Sequence, residues 1–298
     1  MSTPEFTQIS LTLADRVLEL RLDRPDRMNA FTPVMRTEIV EALDWAEANE
    51  DVRVVIVTGE GRAFCAGADL GSAGDKPFSY SGDGMRDERS DADEIAGLPR
   101  DGGGVVSLRL ASFPKPVIAA INGAAIGVGI TMTLPMDIRI ASSKARFGFV
   151  FARRGIAPEA VSSWFLPRVV GISQASEWAL TGRVFDAEEA LRGRLVSRVV
   201  EPEDVLPTAH GIAREIADNT SGVAIAATRR MLWSQLTQDD LWQTHELETR
   251  TIAALKNGPD AKEGVTAFLE KRDAVFAGRL DTDLPDAVPD WPVRPAAD

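Results

Sequence analysis

Scarcity shapes the reading of this 298-residue chain, which holds one cysteine (Cys65), two histidines (His210 and His245) and one tyrosine. A single thiol excludes an internal disulfide and a cysteine-based metal cluster. The histidines lie far from the glycine-rich centre of the chain. That placement argues against a histidine-held metal or a Ser-His-Asp triad, and no metal site is expected. Positive charge is short too: 33 Lys and Arg face 45 Asp and Glu, a net charge of −12. Binding a phosphate backbone needs a basic surface, so nucleic acid is not expected as a partner. An anionic small ligand remains compatible with a local cluster of cations. No apolar run approaches the roughly 18 residues of a membrane span, so no membrane partner is expected. The opening MSTPEFTQIS lacks a basic-then-apolar signal pattern, and the closing PAAD is not an SKL-type address. The expectation is a reduced, cytoplasmic protein.

What is present, 44% hydrophobic and 26% charged residues, is the make-up of a globular protein. Val17–Leu22 alternates apolar and polar residues and reads as a half-buried strand, with Ile9–Leu13 pairing to it through a turn near Ala14-Asp15. Thr32-Pro33 caps and opens a helix running to about Asn49. Val54–Thr58, Val117–Ile121 and Ile138–Ala141 are short apolar strands, and Gly127–Leu134 is a short helix that Pro135 stops. From Gly71 to Gly104 the composition turns to Gly, Asp, Ser and Arg, which predicts a long surface insertion or lid. Helical periodicity over Thr208–Asn219, Gly222–Gln235, Asp239–Leu255 and Asp260–Phe276 follows. The expected organisation is a mixed α/β core over 1–206, a helical region over 207–278 and an extended or disordered tail over 279–298.

Two glycine-rich turns follow apolar strands. Ala63–Leu70 (AFCAGADL) comes after Val54–Thr58, and Asn122–Gly129 (NGAAIGVG) comes after Val117–Ile121 and opens a helix. Each can present backbone N–H groups to a ligand, the second with a helix dipole behind it. Two amides converging on one oxygen make an oxyanion hole, although taken singly such turns also serve close packing. The surrounding stretch Lys115–Pro167 holds only two carboxylates, Asp137 and Glu159. Asp137, between a helix and a strand, reads as a structural carboxylate, and Asp69 reads as ordering its own turn. Cys65 reads as a packing residue and the histidines as surface or packing groups.

The segments RPDRMNAF, VVIVTGEGRAFCAGADL, KPVIAAINGAAIGVG and WALTGRVFDAEEALRGRLVSRVVE, in this order, resemble the crotonase (enoyl-CoA hydratase/isomerase) superfamily from about Val17 to Phe276. The resemblance implies a spiral of ββα units with a helical trimerisation region, in a homotrimer or homohexamer. It implies an acyl-CoA thioester substrate, no separate cofactor, and an enolate held by two backbone amides, here those of Ala68 and Val128. Gly127 then belongs to the substrate pocket.

Hydratases of this superfamily place a water with two glutamates. The matching positions here are Thr131 and Phe151, neither of which can serve as a general base near neutral pH. Instead Glu159, in GIAPEAVSSWFLP, resembles the single acid/base of the peroxisomal-type Δ3,Δ2-enoyl-CoA isomerases. The resemblance then implies isomerisation in fatty-acid oxidation, with Phe151 keeping the site dry. The plain reading of Glu159 is a first-turn acid on a helix over Ala160–Val170, facing solvent. Two other functions stay open: a hydratase (lyase) with non-standard residues, and a non-catalytic module that binds acyl-CoA or a protein. CoA phosphates call for cations, for which Arg24, Arg27, Arg62, Lys271 and Arg272 are candidates, along with the backbone of Ala66. Each of these side chains can equally be a solvated surface charge.

Overall fold

The computed structural model describes residues 2–70, 94–95 and 97–294. Strands β1 (Ile9–Ala14) and β2 (Val17–Leu22) form an antiparallel hairpin. It turns through Asp15 and Arg16, both left-handed at φ 48° and 63°. The Thr32 hydroxyl accepts from the Met35 N–H and Pro33 fixes the first φ, so helix α1 (Pro33–Ala48) starts there. Then come β3 (Val54–Gly59) and β4 (Ala63–Cys65). Most of the segment read as an insertion or lid lies outside the described residues. Its described end is the small hairpin β5 (Glu94–Ile95) and β6 (Leu98–Pro99), leading into α2 (Gly102–Ser112). Helix order thus begins before Val105, because Asp101 caps it by accepting from the Gly104 N–H.

The pattern then repeats as β7 (Val117–Ile121), β8 (Ala124–Ile126) and α3 (Val128–Thr131), and again as β9 (Ile138–Ser142), β10 (Arg146–Gly148) and α4 (Ser162–Val170). Next are α5 (Ile172–Thr181), β11 (Val184–Asp186), α6 (Ala187–Arg192) and β12 (Arg198–Val200). The chain ends in α7 (Val205–Asn219), α8 (Gly222–Ser234), α9 (Leu241–Leu255), α10 (Pro259–Glu270) and α11 (Leu280–Asp283).

The longer strands line up as β1-β2-β3-β7-β9-β12 and the shorter ones as β11-β10-β8-β4. From β2 onward the first sheet is parallel, and each chain pass crosses to the second sheet before a helix returns it, which makes a ββα spiral. Burial on both faces explains why these strands read as unbroken apolar runs. Val55 and Val57 face the main core with Val117, Ala119 and Ile121, whereas Val54, Ile56, Ile118 and Ala120 face α7. On α7 the buried stripe is Val205, Ala209, Ala213 and Ala217, whose four-residue spacing lets the helix press closely on the sheet.

One expectation shifts. Helix α10 stops at Glu270, short of Phe276, with Lys271 left-handed at φ 55°. Its own acids bind the returning chain: Glu263 accepts from the Val275 N–H at 2.8 Å, and Asp260 accepts from the Gly278 N–H at 2.8 Å. The tail, read as extended or disordered, lies through residue 294 against its own chain. Trp291 stacks on Trp233 with centroids 6.1 Å apart, and Asp290 pairs with Arg230 at 3.0 Å.

Candidate active site

The two glycine turns meet because β4 and β8 pair in parallel, Ala63 opposite Ala124 and Cys65 opposite Ala125. Gly67 (φ 107°) and Gly127 (φ 54°, ψ −123°) hold backbone conformations that side-chain-bearing residues rarely adopt. They abut: a Cβ on Gly127 would lie 4.0 Å from Gly67 Cα. Gly129 has no room for a Cβ at all, since it would collide with the Cys65 carbonyl. The turn at Ala68 is clamped on Phe31, which donates its N–H to the Gly67 carbonyl and accepts from the Asp69 N–H, each at 2.9 Å. That ladder skips the Ala68 N–H. Val128 is the first residue of α3, whose N–H has no partner within the helix. Among the described residues neither amide meets an acceptor, so both are available to a ligand oxygen.

Glu159 does not lie in the first turn of a helix. Ala160 and Val161 are both left-handed, at φ 59° and 56°, and α4 begins only at Ser162. For a β-branched residue this is a strained conformation, of the kind that surrounding structure must impose. The kink turns Glu159 inward, where Oε1 accepts from the Thr131 hydroxyl at 2.7 Å. Oε2 lies against Gly103, where an added Cβ would collide with it. Burial, ahead of every other cause, raises the Glu159 carboxyl from the ordinary 4.5 to about 8. Thr131 opposes that rise by donating to the charged form, and nearby Asp101 adds to it. The result is a carboxyl that can both accept and return a proton near neutral pH.

Asp101 is the site residue that sequence reading missed. The one signal for it was an acid immediately before Gly-Gly-Gly-Val-Val, which fits a helix N-cap but lay inside a stretch read as insertion.

Phe151 and Val128 belong to the main core, each 6% exposed, and Thr131 is fully buried. The Ala66 N–H is engaged with the Met28 carbonyl at 3.0 Å, which leaves its carbonyl for a ligand. Arg24 pairs with Asp69 at 3.0 Å and donates to the Ala30 carbonyl at 2.6 Å, so it orders the first turn. Arg27 is exposed in the turn between β2 and α1, and Arg62 is exposed in the turn between β3 and β4. Lys271 and Arg272 are exposed at the end of α10, and Arg272 is bound to Glu263 and Glu270. Asp137 is structural: it accepts from the Val117 N–H at 2.8 Å, Arg229 Nε at 2.9 Å and Trp233 Nε1 at 3.3 Å. Burial pushes the Cys65 thiol up to about 12, which leaves it an inert packing group.

A ββα spiral with two abutting amide-presenting turns is the crotonase fold. The family model described as enoyl-CoA hydratase/isomerase matches residues 12–279. Enoyl-CoA hydratase ACTT3 of Alternaria alternata is 40% identical over 264 residues, covering 88% of this chain and 83% of that one. The 1,2-epoxyphenylacetyl-CoA isomerase of Escherichia coli is 35% identical over 88% of this chain and 95% of its own length. A crystal structure of a probable enoyl-CoA hydratase/isomerase from Mycobacterium abscessus superposes with a TM-score of 0.81 at 31% identity, covering 91% of this chain and 99% of that one. The chain belongs to the enoyl-CoA hydratase/isomerase family.

Proposed function

We propose that the protein isomerises 3-enoyl-CoA thioesters to 2-enoyl-CoA, with Glu159 as the acid/base. The thioester oxygen sits between the Ala68 and Val128 amides. The Glu159 carboxylate takes a proton from C2, the C2 electron pair conjugates into the thioester as a dienolate, and the oxyanion is held by the two N–H groups. Glu159 then returns the proton to C4 while the double bond forms between C2 and C3. One carboxyl group therefore suffices and no water is consumed. The observation that carries this reading is Glu159 itself, turned inward by the Ala160–Val161 kink and bound to Thr131 at 2.7 Å. The positions where a hydratase keeps its glutamates hold Thr131 and Phe151 instead. We assign the CoA phosphates to Arg27 and Arg62, exposed cations whose own stretches of chain touch the two turns, Met28 at Ala66 and the Arg62 carbonyl at Gly123.

Hydration is the second reading. It is supported by the relatives named hydratases and by Asp101, which supplies a further carboxylate beside Glu159. Incubation with 3-enoyl-CoA and with 2-enoyl-CoA, followed by mass spectrometry, separates the two. Isomerisation leaves the mass unchanged, whereas hydration adds one water to 2-enoyl-CoA.

Assembly as a homotrimer or homohexamer through the C-terminal helices is proposed as well. Leu241, Trp242, Phe268 and Leu269 are each more than two-thirds exposed on α9 and α10, which supports a covering partner. Sedimentation or light scattering measures the mass of the assembly.

A further inference from the structure

Asp101 joins three parts of the site. As the N-cap of α2, its Oδ1 accepts from the Gly104 N–H at 2.5 Å. The same oxygen accepts from the Ala160 N–H at 2.9 Å, in the kink that aims Glu159. Glu159 packs against the first turn of that helix at Gly103, and the nearby Asp101 carboxyl helps to push the Glu159 carboxyl up. An open helix N-terminus would attract the Glu159 carboxylate through free amides and the helix dipole. Capping in that way would hold Glu159 ionised and make it a poor base. Asp101 already takes the Gly104 N–H as the cap, so at that position Glu159 faces a like charge.

We propose that Asp101 is a positioning residue for Glu159: it fixes the 159–161 kink through the Ala160 amide, excludes Glu159 from the α2 cap, and shares the Glu159 proton between two carboxyl groups. The inference rests on Glu159 being the acid/base of the proposed reaction. Among the described residues, the groups bearing on Glu159 are Asp101 from α2, the Thr131 hydroxyl from α3 and the Cys65 thiol from β4. The thiol stays neutral to about pH 12, so it adds no charge in the working range.

The test is a titration of the Glu159 carboxyl by infrared difference spectroscopy, without substrate, using Glu159→Gln as the blank. Asp101→Asn keeps a carbonyl acceptor for the Gly104 and Ala160 amides and removes only the charge. Asp101→Ser keeps a cap for α2 but is too short to reach Glu159. In both variants the Glu159 midpoint should fall by about one pH unit or more, as expected on removing a like charge at contact range. The ascending limb of kcat/KM on 3-enoyl-CoA should move with it. An unchanged midpoint in either folded variant overturns the proposal. A midpoint that falls in a protein inactive on 3-enoyl-CoA supports the carboxyl pairing and contradicts the proposed reaction instead.

Discussion

The Thr131 hydroxyl donates to Glu159 Oε1 at 2.7 Å, while the backbone on the far side of that glutamate is twisted left-handed at Ala160 and Val161. Thr131 stands on the first helical turn after the second glycine turn, so the bond ties Glu159, the proposed acid/base, to the element that carries the Val128 amide. In the proposed reaction, proton transfer and oxyanion binding are thereby set in one frame. Thr131 favours the charged carboxyl, whereas burial and Asp101 favour the neutral one, and the balance falls at about 8.

Removing the Thr131 hydroxyl should tip that balance. Thr131→Val keeps the volume and deletes a hydrogen bond to a charged group, a change of about 1.5–3 kcal/mol. The ascending limb of the kcat/KM profile on 3-enoyl-CoA should move above pH 8, with a loss of roughly tenfold or more at neutral pH. Thr131→Ser should restore both. A profile identical to wild type for Thr131→Val would mean that the bond does not act on the reacting carboxyl.

Gly103 offers a steric test. An alanine in a helix ordinarily stabilises it by about 0.5–1 kcal/mol relative to glycine. At this position the new Cβ would collide with Glu159 Oε2. Gly103→Ala should therefore leave the circular dichroism spectrum intact and lower kcat by about 10²-fold, the scale of a misplaced catalytic group. Retention of full kcat would show that Glu159 does not work from the position seen here.

Glu159 also makes stability depend on pH, with a definite sign. Its folded-state value, about 8, lies above the ordinary 4.5, so the native state holds the proton more tightly than the unfolded chain does. The contribution is complete below about pH 4.5 and is lost as the pH rises towards 8. Glu159→Gln, neutral throughout, should stabilise the protein relative to wild type at pH 9 by about 1–3 kcal/mol, after discounting for partial exposure. Chemical denaturation of both proteins at pH 5 and pH 9 measures this. An equal difference at the two values contradicts it.

Much of the fold is legible in the sequence because its signals are local. Thr32-Pro33 announces the start of α1, and the unbroken β-branched run at Val54 announces a strand covered on both faces. The pairing of the two glycine turns is legible only through family resemblance, because the parallel register of β4 and β8 is a long-range fact. Three features escaped. Asp101 caps a helix from within a Gly- and Asp-rich stretch whose composition hides it. The left-handed Ala160–Val161 kink has no sequence signature, since neither residue favours that conformation, and it alone separates an inward Glu159 from a solvent-facing first-turn acid. The early end of α10 depends on Asp260 and Glu263 binding amides beyond residue 274, a tertiary contact that periodicity cannot register.

Asp137 illustrates a carboxylate committed to structure. Arg229, 5% exposed, pairs with it and also donates to the carbonyls of Leu110, Ala111, Phe113 and Pro135. One side chain on α8 thus holds the end of α2 to the turn that leads into β9. Arg229→Met should cost about 3–5 kcal/mol, because it strands both a carboxylate and several carbonyls. Urea denaturation should register this as a lower midpoint with an unchanged slope. A midpoint matching wild type would show that the network contributes nothing to stability.

The most direct test of the Glu159 assignment is the rate of 3-enoyl-CoA to 2-enoyl-CoA conversion by Glu159→Gln, with acyl-CoA affinity and circular dichroism measured on the same preparation. The expected result is a loss of about 10²–10⁴-fold in kcat, the usual weight of a general acid/base, with binding and fold preserved. Isomerisation by the variant within a few-fold of wild type would contradict Glu159 as the group that moves the proton.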